Sequence, residues 1–144
     1  AITPETSQIK DVLKAEFIET EGKGFVEDLV AAIKQLGLSK TMVLSADLAL
    51  LTAEDLNWVI TEYQRFGTPA LAVFVPTGVY REMGLQPGIE MNGLVPAGVN
   101  IVDGEELNGE ESQLVTENPR FAFNINTPRD LKRALEFAKE TRVQ

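Results

Sequence analysis

The 144-residue chain contains no cysteine and no histidine. The absence of cysteine excludes disulfide bonds, iron–sulfur clusters and thiolate zinc sites from this sequence. The absence of histidine removes the usual imidazole general base and the commonest zinc ligand. Any catalysis by these residues therefore depends on carboxylates, amides, lysines, backbone amides or a bound hard cation.

Long apolar runs and an excess of positive charge are also lacking. The longest apolar run, 69–76, has only the length of a strand, so we expect no membrane span. The first residues lack the basic and apolar regions of a signal peptide, and we interpret the protein as cytoplasmic. The net charge of −9 argues against nucleic-acid binding and is explained most simply by solubility. The composition leaves the oligomeric state open, with a homodimer among the alternatives.

The alternation of helix and strand patterns predicts a single α/β domain over residues 1–144. We predict four helices, at 6–15, 25–36, 52–66 and from Thr127 onward. We predict five strands, at 17–20, 41–45, 69–75, 98–102 and 121–125. The segment 77–96 and the acidic segment 103–111 are predicted to be loops.

A carboxylate follows one of the predicted strands. In Val43-Leu-Ser-Ala-Asp47, an apolar strand delivers Asp47 to its carboxyl end. In open α/β sheets this edge is where ligands bind, and a carboxylate there can hold Mg²⁺ against nucleotide phosphates. The alternative is that Asp47 caps a turn before the next helix, since aspartate is a common turn residue.

Two asparagines precede the last predicted helix, in the segment Asn124-Ile-Asn126. The residues that follow, Thr127, Pro128 and Asp130, predict a well-capped helix start. That capping does not use both asparagines, and Asn126 is a candidate hard-cation ligand through its amide oxygen. The alternative is an ordinary strand-to-helix junction.

A short glycine-containing turn, Gly22-Lys23-Gly24, stands just before the second predicted helix. Its glycines permit close backbone approach, the helix N-terminus attracts anions or polar base edges, and Lys23 can neutralise phosphate. The segment lacks the spacing of a Walker A motif. A plain tight turn is the alternative interpretation.

A second loop, rich in glycine and proline, leads into the strand predicted at 98–102. Such shaped surface loops often line substrate pockets, although a merely structural loop is equally compatible with the sequence. Its candidate substrate-binding residues are Asn92, Gly93, Pro96, Gly98 and Asn100.

These four segments together resemble one family. The GKG turn with its following "EDL", the "SAD" strand end, "NGLVPAGVN" and "FNINTPRDLKRA" resemble, in this order, the archaeal GTP:adenosylcobinamide-phosphate guanylyltransferases. "NINTPRDL" is shared with a wider superfamily that includes the molybdenum-cofactor guanylyltransferases. "NGLVPAGVN" together with "GKGFVEDL" indicates the cobinamide branch, and the likeness covers nearly the whole chain.

The resemblance implies a Rossmann-like, three-layer nucleotidyltransferase domain with a mostly parallel mixed sheet. It implies transfer of GMP from GTP to adenosylcobinamide phosphate, with Mg²⁺ as cofactor and pyrophosphate as the second product. Asp47 and Asn126 match the metal-ligand positions of the superfamily and would be the catalytic residues. Nucleotide binding would involve Asp47 and the turn at 22–24, and the loop at 92–100 would lie near the acceptor.

The sequence also departs from the family. The family opens with a strand and a glycine-rich loop that grips the triphosphate, and neither occurs in these residues. We therefore expect the chain to be a fragment that has little or no transferase activity alone. The proline usual in the molybdenum branch two residues after the aspartate is replaced by Ala49. The alternatives are a molybdopterin or sugar-phosphate nucleotidyltransferase, a non-catalytic nucleotide-binding module, and a purely structural domain.

Overall fold

The computed structural model describes residues 1–142 as a four-stranded sheet with four α-helices and two 3₁₀ helices. The strands are β1 Lys40–Leu44, β2 Ala70–Pro76, β3 Leu94–Asp103 and β4 Glu111–Val115. The α-helices are α1 Phe25–Leu36, α2 Ala53–Phe66, α3 Thr77–Glu82 and α4 Pro128–Arg142. The 3₁₀ helices are Pro4–Asp11 and Pro119–Ala122. None of the described helices has the length and apolar composition that a membrane span requires.

The strand order in the sheet is β1-β3-β2-β4. β3 pairs antiparallel with β1 and with β2, whereas β2 and β4 are parallel. β1, β2 and β4 therefore run in one direction, and their carboxyl ends lie at the same edge of the sheet. The predicted α/β class and mixed sheet are confirmed. The expectation of mostly parallel pairing is wrong, because β3 runs the opposite way between β1 and β2.

The helix boundaries follow local signals in the sequence. α1 and α2 end at Gly37 and Gly67, both in the left-handed conformation that glycine adopts without steric cost. At the start of α2, Thr52 and Asp55 form the reciprocal capping box that their spacing predicts. The predicted helices at 25–36 and 52–66 are therefore confirmed to within about a residue at each end.

Other predicted elements differ from the structure. The first segment forms a 3₁₀ helix rather than an α-helix, and residues 17–20 make only an isolated bridge between Glu19 and Ile2. The loop predicted at 77–96 contains α3, and β4 was not predicted. The strand predicted at 121–125 is absent from the described chain. The 3₁₀ helix Pro119–Ala122 replaces its first part, because Pro119 lacks a backbone N–H and Asn118 caps the turn.

The main core lies between one face of the sheet and α2, α4 and the second 3₁₀ helix. β3 alternates, with Val95, Ala97, Val99 and Ile101 all buried. Buried residues from the helices meet this face, among them Val59, Tyr63, Phe121, Phe123 and Ala134. This packing fixes the carboxyl end of β1 against the segment that precedes α4.

Candidate active site

Asp47 lies just beyond the carboxyl end of β1. The strand is extended past Leu44 by a hydrogen bond of 2.8 Å from the Ser45 backbone N–H to the carbonyl oxygen of Gly98. Two residues later the chain turns, and the half-buried Asp47 reaches the segment before α4. Its carbonyl oxygen accepts a hydrogen bond of 3.1 Å from the backbone N–H of Ile125. The backbone thus joins the segment of Asp47 to the segment of Asn126, the two residues that match the metal-ligand positions of the resembled superfamily.

The side chain in contact with Asp47 is that of Asn124. With its amide nitrogen toward Asp47, Asn124 donates hydrogen bonds to both carboxylate oxygens, at 3.1 Å for Oδ1. With its amide oxygen toward Asp47, two oxygen atoms face each other, and Asn124 accepts a hydrogen bond of 3.1 Å from Asn126 Nδ2. The second orientation is unfavourable unless a cation lies between the two oxygens.

Asn126 is exposed and is linked to Asp47 through Asn124. Sequence analysis placed Asn126 at the end of a strand, but the segment before it is the 3₁₀ helix and an irregular stretch. The sequence motif contains Asn124, but no role was predicted for it. Its spacing of two residues from Asn126 could have indicated a shared role, because residues two apart in an extended segment lie on the same side.

Aromatic packing holds this segment in place. Phe121 and Phe123, on either side of Ala122, are almost completely buried. The ring of Phe123 packs on Phe137 of α4 with 4.8 Å between centroids, and Phe121 meets Trp58 of α2 edge-on at 6.1 Å. Burial of each phenylalanine contributes about 1.5–3 kcal/mol. The position of Asn124 is therefore set by the core beneath it.

The start of α4 is closed by its own capping box. The Asp130 carboxylate accepts hydrogen bonds from the backbone N–H groups of Asn126 and Thr127, at 3.2 and 2.8 Å, and from the Thr127 hydroxyl at 2.8 Å. The Thr127 hydroxyl accepts from the Asp130 N–H at 3.2 Å. The capping prediction is confirmed. These amides are already occupied, so they are not a vacant anion site.

The residues around Asp47 suit a hard cation that takes few protein ligands. No group of three acidic residues within the described chain is placed to bind a metal ion. Asp47 nevertheless supplies a carboxylate in contact with the Asn124 side-chain amide, and a half-turn of that amide would present its oxygen as a second donor. Mg²⁺ prefers such oxygen donors and is commonly bound by one or two carboxylates plus substrate phosphates. The donor set therefore fits Mg²⁺ held jointly with a nucleotide.

A pocket of about 520 Å³ opens beside the two asparagines, and Asn124 and Asn126 form part of its wall. Its polar side chains also include Gln86, Arg129 and Tyr80. Burial raises the pKa of the Tyr80 phenol, so Tyr80 remains a neutral hydrogen-bonding group. The apolar part of the wall consists of Leu85, Ile89, Val95, Pro96 and Ala122.

A pocket of similar size lies at the other end of the sheet. It is bounded by Lys40 at the start of β1, Pro69 before β2 and Gly67 after α2. Ligands of open α/β sheets bind at the carboxyl ends of the strands, where Asp47 lies. This second pocket is therefore at the wrong edge to serve the Asp47 site.

The turn at 22–24 packs against the start of the chain and α1. Gly22 lies close to Pro4, and the Asp28 carboxylate accepts hydrogen bonds from the N–H groups of Gly22 and Lys23, at 3.1 and 3.4 Å. Lys23 Nζ is 2.5 Å from the Glu21 carboxylate, whose hydrogen bond and negative charge raise the pKa of Lys23. No hydrogen bond or ion pair between described residues joins this turn to Asp47.

The five candidate residues at 92–100 have different positions. Asn92 and Gly93, with φ of 53° and 81°, form a tight turn into β3 within the segment predicted to be a loop. Pro96 lines the pocket beside Asn126. Gly98 lies against Ser45, and Asn100 pairs with strands on both sides in the middle of β3. The structure therefore brings Pro96 together with the asparagines and assigns Gly98 a structural contact.

Comparison with known proteins gives a relative of high similarity. The chain is 36% identical over 142 aligned residues to the adenosylcobinamide-phosphate guanylyltransferase of Methanocaldococcus jannaschii. The alignment covers 92% of this chain and 69% of that protein. No protein-family model matches the chain.

Solved structures of other proteins share the fold. A hypothetical transferase from Thermus thermophilus superposes with a TM-score of 0.65 at 13% identity, covering 83% of this chain and 74% of its own. Molybdopterin-guanine dinucleotide biosynthesis protein A from Archaeoglobus fulgidus superposes with a TM-score of 0.63 at 18% identity. The superposition covers 94% of this chain and 74% of that protein's chain. At these identities the likeness establishes the Rossmann-like nucleotidyltransferase fold alone.

Proposed function

The chain belongs to the family of adenosylcobinamide-phosphate guanylyltransferases, and we propose that it transfers GMP from GTP to adenosylcobinamide phosphate. The observation that carries the proposal is the contact of Asp47 with Asn124 at the carboxyl edge of the sheet, next to a pocket. Ligands of this fold class bind at that edge.

The reaction suits a chain without histidine. A phosphate oxygen of the acceptor attacks the α-phosphorus of GTP and forms a new P–O–P linkage. The bond from the α-phosphorus to the bridging oxygen breaks, and pyrophosphate leaves with its electron pair. A phosphate monoester is already ionised at neutral pH, so the step depends on positioning and charge neutralisation more than on a general base.

Asp47 and Asn124 are the proposed ligands of a divalent cation, Mg²⁺, at this site. When bound, the cation supplies neutralisation of the phosphate charge. When the Asn124 oxygen is directed toward the cation, Asn126 Nδ2 donates a hydrogen bond to that oxygen and fixes the orientation of the amide. The expected direct role of Asn126 as a ligand thus becomes, in this proposal, a role in orienting Asn124.

The turn at 22–24 is proposed to contact the guanine or ribose. Its backbone amides are engaged with Asp28, and Lys23 is paired with Glu21. The exposed ammonium group of Lys23 can still donate to a polar base edge, and the exposed carboxylate of Glu21 can still accept from it. This arrangement favours recognition of the base or sugar over a phosphate, which would meet the negative charges of Glu21 and Asp28.

The test is a transfer assay with the protein at its native length, using GTP labelled on either the α- or the γ-phosphate. We expect the α-label to appear on adenosylcobinamide phosphate and the γ-label in pyrophosphate, with one pyrophosphate for each transfer. Asp47→Asn should lower kcat by roughly a hundredfold or more, because it removes the carboxylate that neutralises phosphate charge through the cation.

Two outcomes would contradict the proposal. One is the absence of α-label on the cobinamide acceptor while molybdopterin or a sugar phosphate is labelled. The other is activity of Asp47→Asn equal to that of the unchanged protein. Asp103→Asn is the matched control, because Asp103 lies at the other end of the sheet, where β3 ends.

A further inference from the structure

The pocket beside Asn124 and Asn126 contains one positively charged side chain, that of Arg129, and an apolar wall. Resting on the proposed function, we infer that this pocket binds the acceptor, with Arg129 on its phosphate and the wall around Ile89 on its ring system. The acceptor is then a phosphate monoester attached to a large ring system that has some apolar surface. Arg129 would be the residue that selects a phosphorylated acceptor over the same molecule without its phosphate.

The position of Arg129 has no evident structural reason. It is the second residue of α4, where the positive end of the helix dipole makes a cation unfavourable. No carboxylate of residues 1–142 lies within ion-pair distance of it. It is the one cation among the described residues that line the pocket. A phosphate ligand would supply the missing partner and favour this placement.

Asp130 is the acidic residue of the same wall, and its negative charge would repel a phosphate unless the carboxylate is engaged elsewhere. Its Oδ2 atom accepts three hydrogen bonds from Asn126 and Thr127. These donors hold the carboxylate at the helix start. Arg129 is not held in this way, so its guanidinium is the group free to meet an incoming phosphate.

The apolar wall continues out of the pocket onto the loop between α3 and β3. Ile89 and Met91 are exposed by 78% and 47% although both are large and apolar. A pocket of about 520 Å³ is the size of a site for a drug-sized molecule. It therefore accommodates the phosphate arm and one edge of a corrin ring, and the rest of the ring would lie over this loop.

The location of the pocket also fits the direction of attack. Asn124 is shared by the pocket and by the contact with Asp47, where the phosphates of GTP are proposed to lie. An acceptor phosphate held by Arg129 thus approaches the cation site from the side of α4. Pro96 of β3 forms the neighbouring part of the wall.

The experiment measures steady-state kinetics of the protein at its native length, with GTP saturating and adenosylcobinamide phosphate varied. Arg129→Gln should raise the acceptor KM about tenfold or more, because a hydrogen-bonded charge on the phosphate is lost. The dissociation constant for GTP should stay within about twofold. Lys132→Gln is the control, since Lys132 is an exposed cation one turn further along α4 and does not line the pocket.

A second measurement separates the two parts of the acceptor. Unphosphorylated adenosylcobinamide, used as a competitive inhibitor, should bind equally well to the unchanged protein and to Arg129→Gln. Ile89→Ser should weaken both this inhibitor and the phosphorylated acceptor by several-fold. Val12→Ser is the control for Ile89, because Val12 is equally exposed, at 77%, and lies in the N-terminal part of the chain.

An unchanged acceptor KM in Arg129→Gln, or an equal rise in Lys132→Gln, would overturn the inference. A loss of GTP affinity in Arg129→Gln would also overturn it, by placing Arg129 on the nucleotide. Failure of the transferase proposal has a different signature, because the unchanged protein would then not label adenosylcobinamide phosphate at all.

Discussion

Gly98 of β3 lies so close to Ser45 that no larger side chain fits between them. A Cβ atom at Gly98 would stand 2.5 Å from Ser45 Oγ and 2.9 Å from Ser45 Cβ. Gly98 also has a φ of +71° inside a strand, a conformation that residues with a Cβ rarely adopt. This contact sets where the chain leaves β1, and thereby where Asp47 lies.

Gly98→Ala should therefore lower both stability and nucleotide binding. The positive φ costs about 1–2 kcal/mol for alanine, and the overlap with Ser45 adds about 1–3 kcal/mol. Urea denaturation gives the change in the free energy of unfolding, and calorimetric titration with GTP and Mg²⁺ gives the affinity. We expect the affinity to fall because Ser45 must move and Asp47 moves with it.

Gly67→Ala is the matched control for this variant. Gly67 has nearly the same φ, +70°, but a Cβ there would meet no atom within 4 Å. It should show the backbone cost alone and leave GTP binding unchanged. Equal losses of stability in the two variants would contradict the steric role of Ser45.

Asn124→Ala should reduce catalysis more than it reduces stability. Asn124 is half-buried and contacts Asp47, so its loss removes a proposed ligand without leaving a large cavity. We expect kcat to fall by roughly ten- to a hundredfold, with a higher Mg²⁺ concentration needed for half-maximal activity. Asn57→Ala, at an exposed position of α2, should change neither quantity. An unchanged Mg²⁺ dependence in Asn124→Ala would remove Asn124 from the proposed site.

Asn118→Ala should destabilise the protein by about 1–3 kcal/mol, because it leaves a buried acceptor without a partner. Asn118 Nδ2 donates a 2.7 Å hydrogen bond to Oδ1 of Asp55, a carboxylate that is only 7% exposed. The same asparagine accepts from the N–H of Arg120 and caps the 3₁₀ helix. Urea denaturation measures the loss, and Asn108→Ala in an exposed loop should leave stability unchanged.

The stability of the protein should fall at alkaline pH through Tyr80. Burial raises the pKa of this phenol above its ordinary value of 10.0, whereas the unfolded chain ionises at the ordinary value. The unfolded state therefore loses its proton first. The contribution of Tyr80 is fully present below about pH 10 and is lost as the pH rises through the folded-state pKa.

Thermal unfolding measured between about pH 8 and pH 11 tests whether stability falls with rising pH as predicted. The midpoint of the unchanged protein should fall over the upper part of that range. Tyr80→Phe cannot ionise, so its midpoint should fall less steeply over the same range. Parallel curves for the two proteins would show that Tyr80 is not the cause.

Local signals explain which parts of the structure the sequence could predict. The capping boxes at Thr52 and Thr127 and the glycine stops at Gly37 and Gly67 depend on neighbouring residues only, and they account for the correctly predicted bounds of the helices. The prediction of a strand at 121–125 was wrong, because the alternating apolar residues of this segment match the pattern by which strands are recognised. Pro119 and the Asn118 cap instead turn the chain, and the aromatic rings insert into the core.

The candidate site was predictable in part for the same reason. The arrival of Asp47 at the end of a strand follows from local patterning. Its contact with Asn124 does not, because it depends on how α4 and the second 3₁₀ helix pack against the sheet. The pocket was missed because it depends on tertiary packing. Arg129 lies within the motif NINTPRDL, but beside the capping residues Thr127, Pro128 and Asp130 it was treated only as part of a helix start.

The terminal amide of Asn124 allows the site to change its binding partner without moving the backbone. Its nitrogen donates to the Asp47 carboxylate, and a half-turn about the last side-chain bond would present its oxygen to the proposed divalent ion. Such a half-turn of one side chain takes picoseconds to nanoseconds at an exposed position, so the proposed binding of the ion requires no slower rearrangement of the protein. The main chain around Asp47 and Ile125 should therefore superpose with and without the ion, and ion exchange should be limited by dehydration of the incoming metal rather than by the protein.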